Sequence, residues 1–208
     1  MTSYNNGFLS TIPAVTRNIL IINVIVWVAC LVFFNLVGHL ALFPVQSGHF
    51  KPYQLVTFMF TQVDLWHLAF NMFAVFMFGR VLENYWSPKK FLIYYMVCGI
   101  GSGLVQLLVC HLTGSMNPTI GASGAVFGIL LAFGMSFPNA PLYLMFIPIP
   151  IKAKYFVIGY GILELYYGFA NRAGDNVAHF AHLGGMLFGI FLILYWRKKA
   201  ARNNGGFY

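Results

Sequence analysis

From Ile19 to Phe43 the chain carries no Asp, Glu, Lys or Arg. Further apolar runs follow at Leu65–Val81, Phe91–Leu112, Ser123–Phe137, Ala153–Phe169 and Val177–Trp196. About 20 such residues cross a bilayer as one helix. Of the 208 residues, 60% are hydrophobic and 8% charged, with mean hydropathy +0.76. Soluble domains carry roughly 25% charged residues, so a soluble domain, a disordered chain and a secreted disulfide scaffold are excluded. The runs are continuous, unlike the alternating ~10-residue segments of membrane strands. The expected fold class is therefore an all-α membrane protein. Six spans use roughly 120 residues and leave no room for a separate soluble domain.

The net charge of +8 does not mark a nucleic-acid surface, because the basic residues flank apolar runs. Cys30, Cys98 and Cys110 lie inside such runs. Their odd number and spacing fit neither a disulfide framework nor a metal site, and they read as small packing residues. Residues 1–17 are polar with one Arg, and the run after them is too long for a signal-peptide core. That run is expected to be a retained anchor.

Residues 44–64 (PVQSGHFKPYQLVTFMFTQVD) are too polar to span and too apolar for an aqueous loop. They are expected in the interface or folded against the bundle. The third run carries Gly99, Gly101 and Gly103, a smooth face for a neighbouring helix. The turn-rich stretch 113–122 precedes the fourth run, which is only about 15 residues, short for a full crossing. A helix that starts below the surface implies a water-accessible cavity above it. Four prolines in 138–151 preclude a regular helix. With the N-terminus inside, Arg17, Arg80, Lys89, Lys90, Lys152, Lys154, Arg197, Lys198, Lys199 and Arg202 fall on the inner side. Only Lys51 and Arg172 fall outside, which is the expected bias.

This orientation puts His67, Ser123 and His182 at similar depth, near the outer ends of the second, fourth and sixth runs. Asn71 shares the His67 helix face at i+4. Singly, a Ser in a span is a packing residue and a His an interhelical hydrogen bond. Their convergence in lipid, where polar groups are costly, is what marks chemistry. Ser123 lies in GASGAVFG, with Gly124 and Gly128 in G-x-x-x-G spacing, and the sixth run, AHFAHLGGMLFG, repeats that spacing. Two such faces let backbones approach closely and bring a hydroxyl within reach of an imidazole. A Ser at a helix N-terminus also meets unpaired N–H groups that can stabilise an oxyanion.

The motifs HLAFN (His67 to Asn71), GASG (Gly121 to Gly124) and AHLGG (Ala181 to Gly185), in this order on the second, fourth and sixth spans, resemble the rhomboid intramembrane serine proteases of the minimal six-span kind. The resemblance covers about residues 15–197. It implies a six-helix bundle with a short central fourth helix and a membrane-embedded first loop over 44–64. It divides the chain into a cytoplasmic segment 1–17, a catalytic domain 18–197 and a basic cytoplasmic tail 198–208. It also implies a Ser–His dyad: Ser123 as nucleophile, His182 as general base and then acid, and an oxyanion hole from the Ser123 N–H, His67 and Asn71. Gly121, Gly124, Phe127 and Gly185 are expected to support the site. Phe127 stands where the family often has Tyr, and the family's Trp-Arg pair in the first loop is missing. Glu83 matches a family Glu and reads as structural.

His179 shares a face with His182 and is expected to be a hydrogen-bonding or loop residue, since His182 directly precedes Leu-Gly-Gly. Glu164, in mid-span, is expected to be protonated or hydrogen-bonded; a gating role is a further reading. No Asp partner for His182 is evident, so no triad is expected. The implied function is endoproteolysis of single-span membrane proteins near the outer side of the bilayer, with no cofactor or metal. The expected partners are those substrates and the lipid bilayer, with no nucleic acid. An inactive rhomboid-like protein binding transmembrane clients is the alternative. A transporter would show repeated halves, and a membrane esterase or acyltransferase could use the same dyad. The small size, with the resemblance, points to a bacterial plasma membrane, and the Lys/Arg bias to both termini being cytoplasmic.

Overall fold

The computed structural model describes residues 8–144, 147–170 and 178–204. Arg172 and the expected start of the sixth span at Val177 lie outside them. Among the described residues, six helices of 14 or more residues form the bundle: α1 (Ala14–Val32), α2 (Leu65–Trp86), α3 (Pro88–Thr113), α4 (Ser123–Ser136), α5 (Ala153–Ala170) and α6 (His179–Asn204). Four of them, α1, α2, α3 and α6, are long and apolar enough to cross a membrane. The short α4 and the 18-residue α5, which carries Lys154 and Glu164, complete the bundle.

Their ends follow from local chemistry. The Asp64 carboxylate accepts the His67 N–H at 2.8 Å and caps α2. Ser87 accepts from the Lys90 N–H, and Pro88 fills the first turn of α3, where a missing N–H costs nothing. The first turn of α1 is capped from a distance. Buried Glu83, near the end of α2, accepts from the Val15 N–H (2.9 Å), the Thr16 N–H (2.7 Å) and the Thr16 hydroxyl (2.8 Å). Inside α2, Val75–Gly79 form a π-helical turn.

The centre is α4. Every residue from Ser123 to Ser136 is buried or half-buried. Helix α6 packs on α3 and α4 through glycines. A Cβ at Gly185 would collide with the backbone of Gly124, one at Gly124 with the side chain of Ser102, and one at Gly101 with Phe188. Tyr94 donates to the Gly128 carbonyl at 2.8 Å. On the outside, α1 exposes Ile21, Ile25, Val28 and Val32, and α5 exposes Tyr155, Ile158, Ile162 and Phe169. An apolar surface of this extent suits lipid.

The segment 44–64 folds against the bundle as short helical turns at Val45–Ser47, Gln54–Thr57 and Phe58–Phe60. Phe58 and Met59 are fully buried, in the spaces that Gly103 and Gly99 leave on α3. The first helix ends at Val32, short of the apolar run, and a separate turn forms at Leu36–Leu40. The proline-rich stretch adds a hairpin, β1 (Pro141–Leu144) with β2 (Ile147–Lys152), antiparallel with Pro141 opposite Lys152. Both strands are edges, where proline is tolerated.

Candidate active site

Ser123 is reached through a turn that only glycine makes easily. Gly121 has φ +130°, and a Cβ there would lie 2.8 Å from Cε1 of His67. Its N–H donates to the Phe58 carbonyl at 2.9 Å, while Leu42 and Thr119 exchange two backbone bonds. The start of α4 is thus tied to the loop. Ser123 is the first residue of α4, and Ala122 before it provides no capping side chain. The opening N–H groups lie at the positive end of the helix dipole.

Nε2 of His182 lies 2.8 Å from Oγ of Ser123. The glycine contact between α4 and α6 makes this approach possible. Phe127, one turn after Ser123, stacks on the His182 ring at 4.3 Å and 8°. Tyr160 of α5 lies against Phe127 at 5.3 Å. The His182 ring is thereby held in one plane, and the hydroxyl–imidazole pair has the geometry for proton transfer.

On the other nitrogen the structure departs from the sequence expectation. Oε2 of Glu164 lies 2.9 Å from Nδ1 of His182 and 2.7 Å from Nδ1 of His179. No Asp partner and no triad were expected for His182; the carboxylate that meets its Nδ1 is a Glu, from α5. The hydrogen-bonded readings of Glu164 and His179 agree with this geometry. The three donor atoms lie within 4.8 Å of one another and could hold a cation, yet each is already engaged in a hydrogen bond.

The remaining expected residues divide. His67 is placed beside the nucleophile. Its Nδ1 accepts the Val63 N–H at 3.3 Å, which leaves Nε2 as the protonated nitrogen of a neutral ring. That atom is 3.1 Å from the position a Gly121 Cβ would take. Asn71 turns into a buried chain of amides instead. Its Nδ2 donates to Gln62 Oε1 (2.9 Å), Gln62 Nε2 donates to Asn23 Oδ1 (2.8 Å), and Asn23 Nδ2 donates to the Ile19 carbonyl (2.9 Å). One Asn71 N–H is therefore used away from Ser123. Sequence reasoning missed Gln62; its signal was a polar residue flanked by the apolar TFMFT and V. A cavity of about 770 Å³ opens at this end of the bundle. Residues 117–119 and His179 are among those that line it, and Ser123 is not among its described lining residues.

A family model described as the Rhomboid domain matches residues 49–199. Similar curated proteins include Rhomboid protein 1, mitochondrial, of Saccharomyces cerevisiae, 33% identical over 145 residues, covering 69% of this chain and 41% of that protein. RHOMBOID-like protein 12, mitochondrial, of Arabidopsis thaliana is 32% identical, with 69% and 47% covered. The human presenilin-associated rhomboid-like protein, mitochondrial, is 28% identical, with 69% and 38% covered. The chain spans less than half the length of each. The matched region begins after α1, later than the resemblance read from the motifs. These relatives overturn the expected bacterial plasma membrane with cytoplasmic termini: all three are mitochondrial proteins, and chain size is no guide to the compartment.

Proposed function

The chain belongs to the rhomboid family, and on that footing we propose that it is an intramembrane serine endopeptidase acting on single-span membrane proteins. The observation that carries this reading is the 2.8 Å approach of Ser123 Oγ to His182 Nε2 at the start of a short, enclosed helix. Ser123 attacks the scissile carbonyl while its proton passes to His182 Nε2. The tetrahedral oxyanion is stabilised by the Ser123 N–H, by His67 Nε2–H and by the second N–H of Asn71. His182 then returns the proton to the leaving amine, and water hydrolyses the acyl-enzyme by the same route. Gly121, Gly124 and Gly185 keep the pair in contact, and Phe127 keeps the imidazole in its plane. A helical peptide bond is shielded, so substrates carry helix breakers and small residues near the cut.

Lys90 lies over the Trp196 ring, and Arg197 donates to the Met135 carbonyl. Both sit at the C-terminal end of α4, opposite Ser123. This supports a reactive end on the lysine-poor face, with the domain at 18–197 and a basic tail from 198. The relatives' names support a mitochondrial membrane as the compartment.

The test is cleavage of a single-span reporter by purified protein in liposomes. Wild type is expected to cleave, with Ser123→Ala and His182→Ala reduced to background. If wild type neither cleaves nor reacts at Ser123 with a fluorophosphonate, the client-binding reading replaces this one.

A further inference from the structure

Glu164 is the one buried polar residue among the described residues of α5. A carboxylate inside a membrane helix is costly unless it is partnered, and it usually marks function. Here two imidazoles converge on a single oxygen, Oε2. Their rings stand 86° apart with centroids at 6.3 Å, so the two nitrogens approach that oxygen from different directions.

An ionised carboxylate only accepts hydrogen bonds, and a neutral imidazole has one N–H. Each histidine therefore carries its proton on Nδ1. For His182 the consequence is chemical: Nε2 is left with its lone pair, 2.8 Å from Ser123 Oγ. The hydroxyl must donate to it. The opposite tautomer would place an N–H on Nε2 and remove the base.

We propose that Glu164 is a positioning residue that acts through His182, fixing its tautomer and ring so that Ser123 faces a proton acceptor, with His179 anchoring the same carboxylate oxygen. The inference rests on the proposed protease reading and turns its dyad into a hydrogen-bonded Ser123–His182–Glu164 relay of position. When Ser123 attacks, its proton moves to Nε2 and the ring becomes an imidazolium. Glu164 stays ionised, takes no proton, and stabilises the new positive charge through the Nδ1–H bond. The proton leaves from Nε2 to the amine. A merely structural Glu164 would tie α5 to α6 and have no effect on the chemical step.

The experiment compares wild type, Ser123→Ala, Glu164→Asp, Glu164→Gln and Glu164→Leu in the same micelles. It reads kcat and KM for the reporter, the rate of Ser123 labelling by a fluorophosphonate, and the thermal unfolding midpoint. Glu164→Gln and Glu164→Leu are expected to lower kcat and the labelling rate by about 10²- to 10⁴-fold, the range for losing such a group, with KM within threefold. Glu164→Asp recovers part of the rate. Folded Gln and Leu variants that label and cleave within threefold of wild type overturn the proposal. A wild type that neither labels nor cleaves refutes the protease reading instead.

Proton NMR gives a readout that does not depend on cleavage. Two far-downfield imidazole N–H signals are expected in wild type and in Ser123→Ala, one vanishing in His182→Ala and the other in His179→Ala. If no signal depends on His182, the proposal fails.

Discussion

The stacked ring of Phe127 shows how one side chain can matter without touching the reacting atoms. It covers a face of His182 at 4.3 Å, and an aromatic pair of this kind is worth about 0.5–1.5 kcal/mol beyond its buried area. Phe127→Ala is expected to lower kcat roughly tenfold, while Phe127→Tyr keeps the ring and most of the rate; reporter cleavage measures both. His67 and Asn71 separate in the same assay. His67→Ala removes a proposed oxyanion donor and is expected to cost about 10²–10³ in kcat. Asn71→Ala also breaks the amide chain to Gln62 and Asn23, so it lowers the unfolding midpoint as well as the rate. Ser123 and His182 could be read from short motifs because each sits in a fixed local frame of glycines. The Glu164 partner could not: it lies 18 residues before His182 on another helix, and no local pattern records which imidazole a mid-span carboxylate meets. The same limit hid the tie between Gln62 and Asn23, 39 residues apart.

At the scale of elements, glycine contacts and distant caps hold the helices in place. Gly185→Ala would drive a methyl group into the Gly124 backbone. It is expected to separate α4 from α6, abolish cleavage and lower the unfolding midpoint. Gly159→Ala on α5, where a Cβ meets nothing within 4 Å, is expected to be neutral or to stabilise by up to about 1 kcal/mol through helix propensity. Glu83→Ala leaves the Val15 and Thr16 N–H groups of α1 without their acceptor. Hydrogen bonds to a charged group are worth about 1.5–3 kcal/mol each, so a loss of a few kcal/mol in unfolding experiments is expected. The apolar runs each fall on one of the six bundle helices among the described residues, four of which are long and apolar enough to cross a membrane. They failed where hydrophobicity is silent about backbone direction. The first run continues past the end of α1 at Val32 into a separate turn, and the proline-rich stretch proved to be a hairpin.

At the scale of the whole molecule, two basic side chains mark one end of the central helix. Lys90 and Arg197 gather at the C-terminal end of α4, while Asn117 lies near its N-terminal end, exposed. Asn117→Cys and Lys199→Cys are expected to react with a membrane-impermeant maleimide from opposite sides of a vesicle. The native cysteines are all buried and give little background. Labelling of both from one side would refute the orientation. The brevity of α4 then acquires a meaning in units of distance. Fourteen residues make a rod of about 21 Å, against a hydrocarbon core of about 30 Å. Such a rod leaves about 9 Å of that core unspanned. Under the proposed protease reading the helix is a ruler: it fixes the depth at which a peptide bond can be met, so a client would be chosen by where along its length it comes unwound.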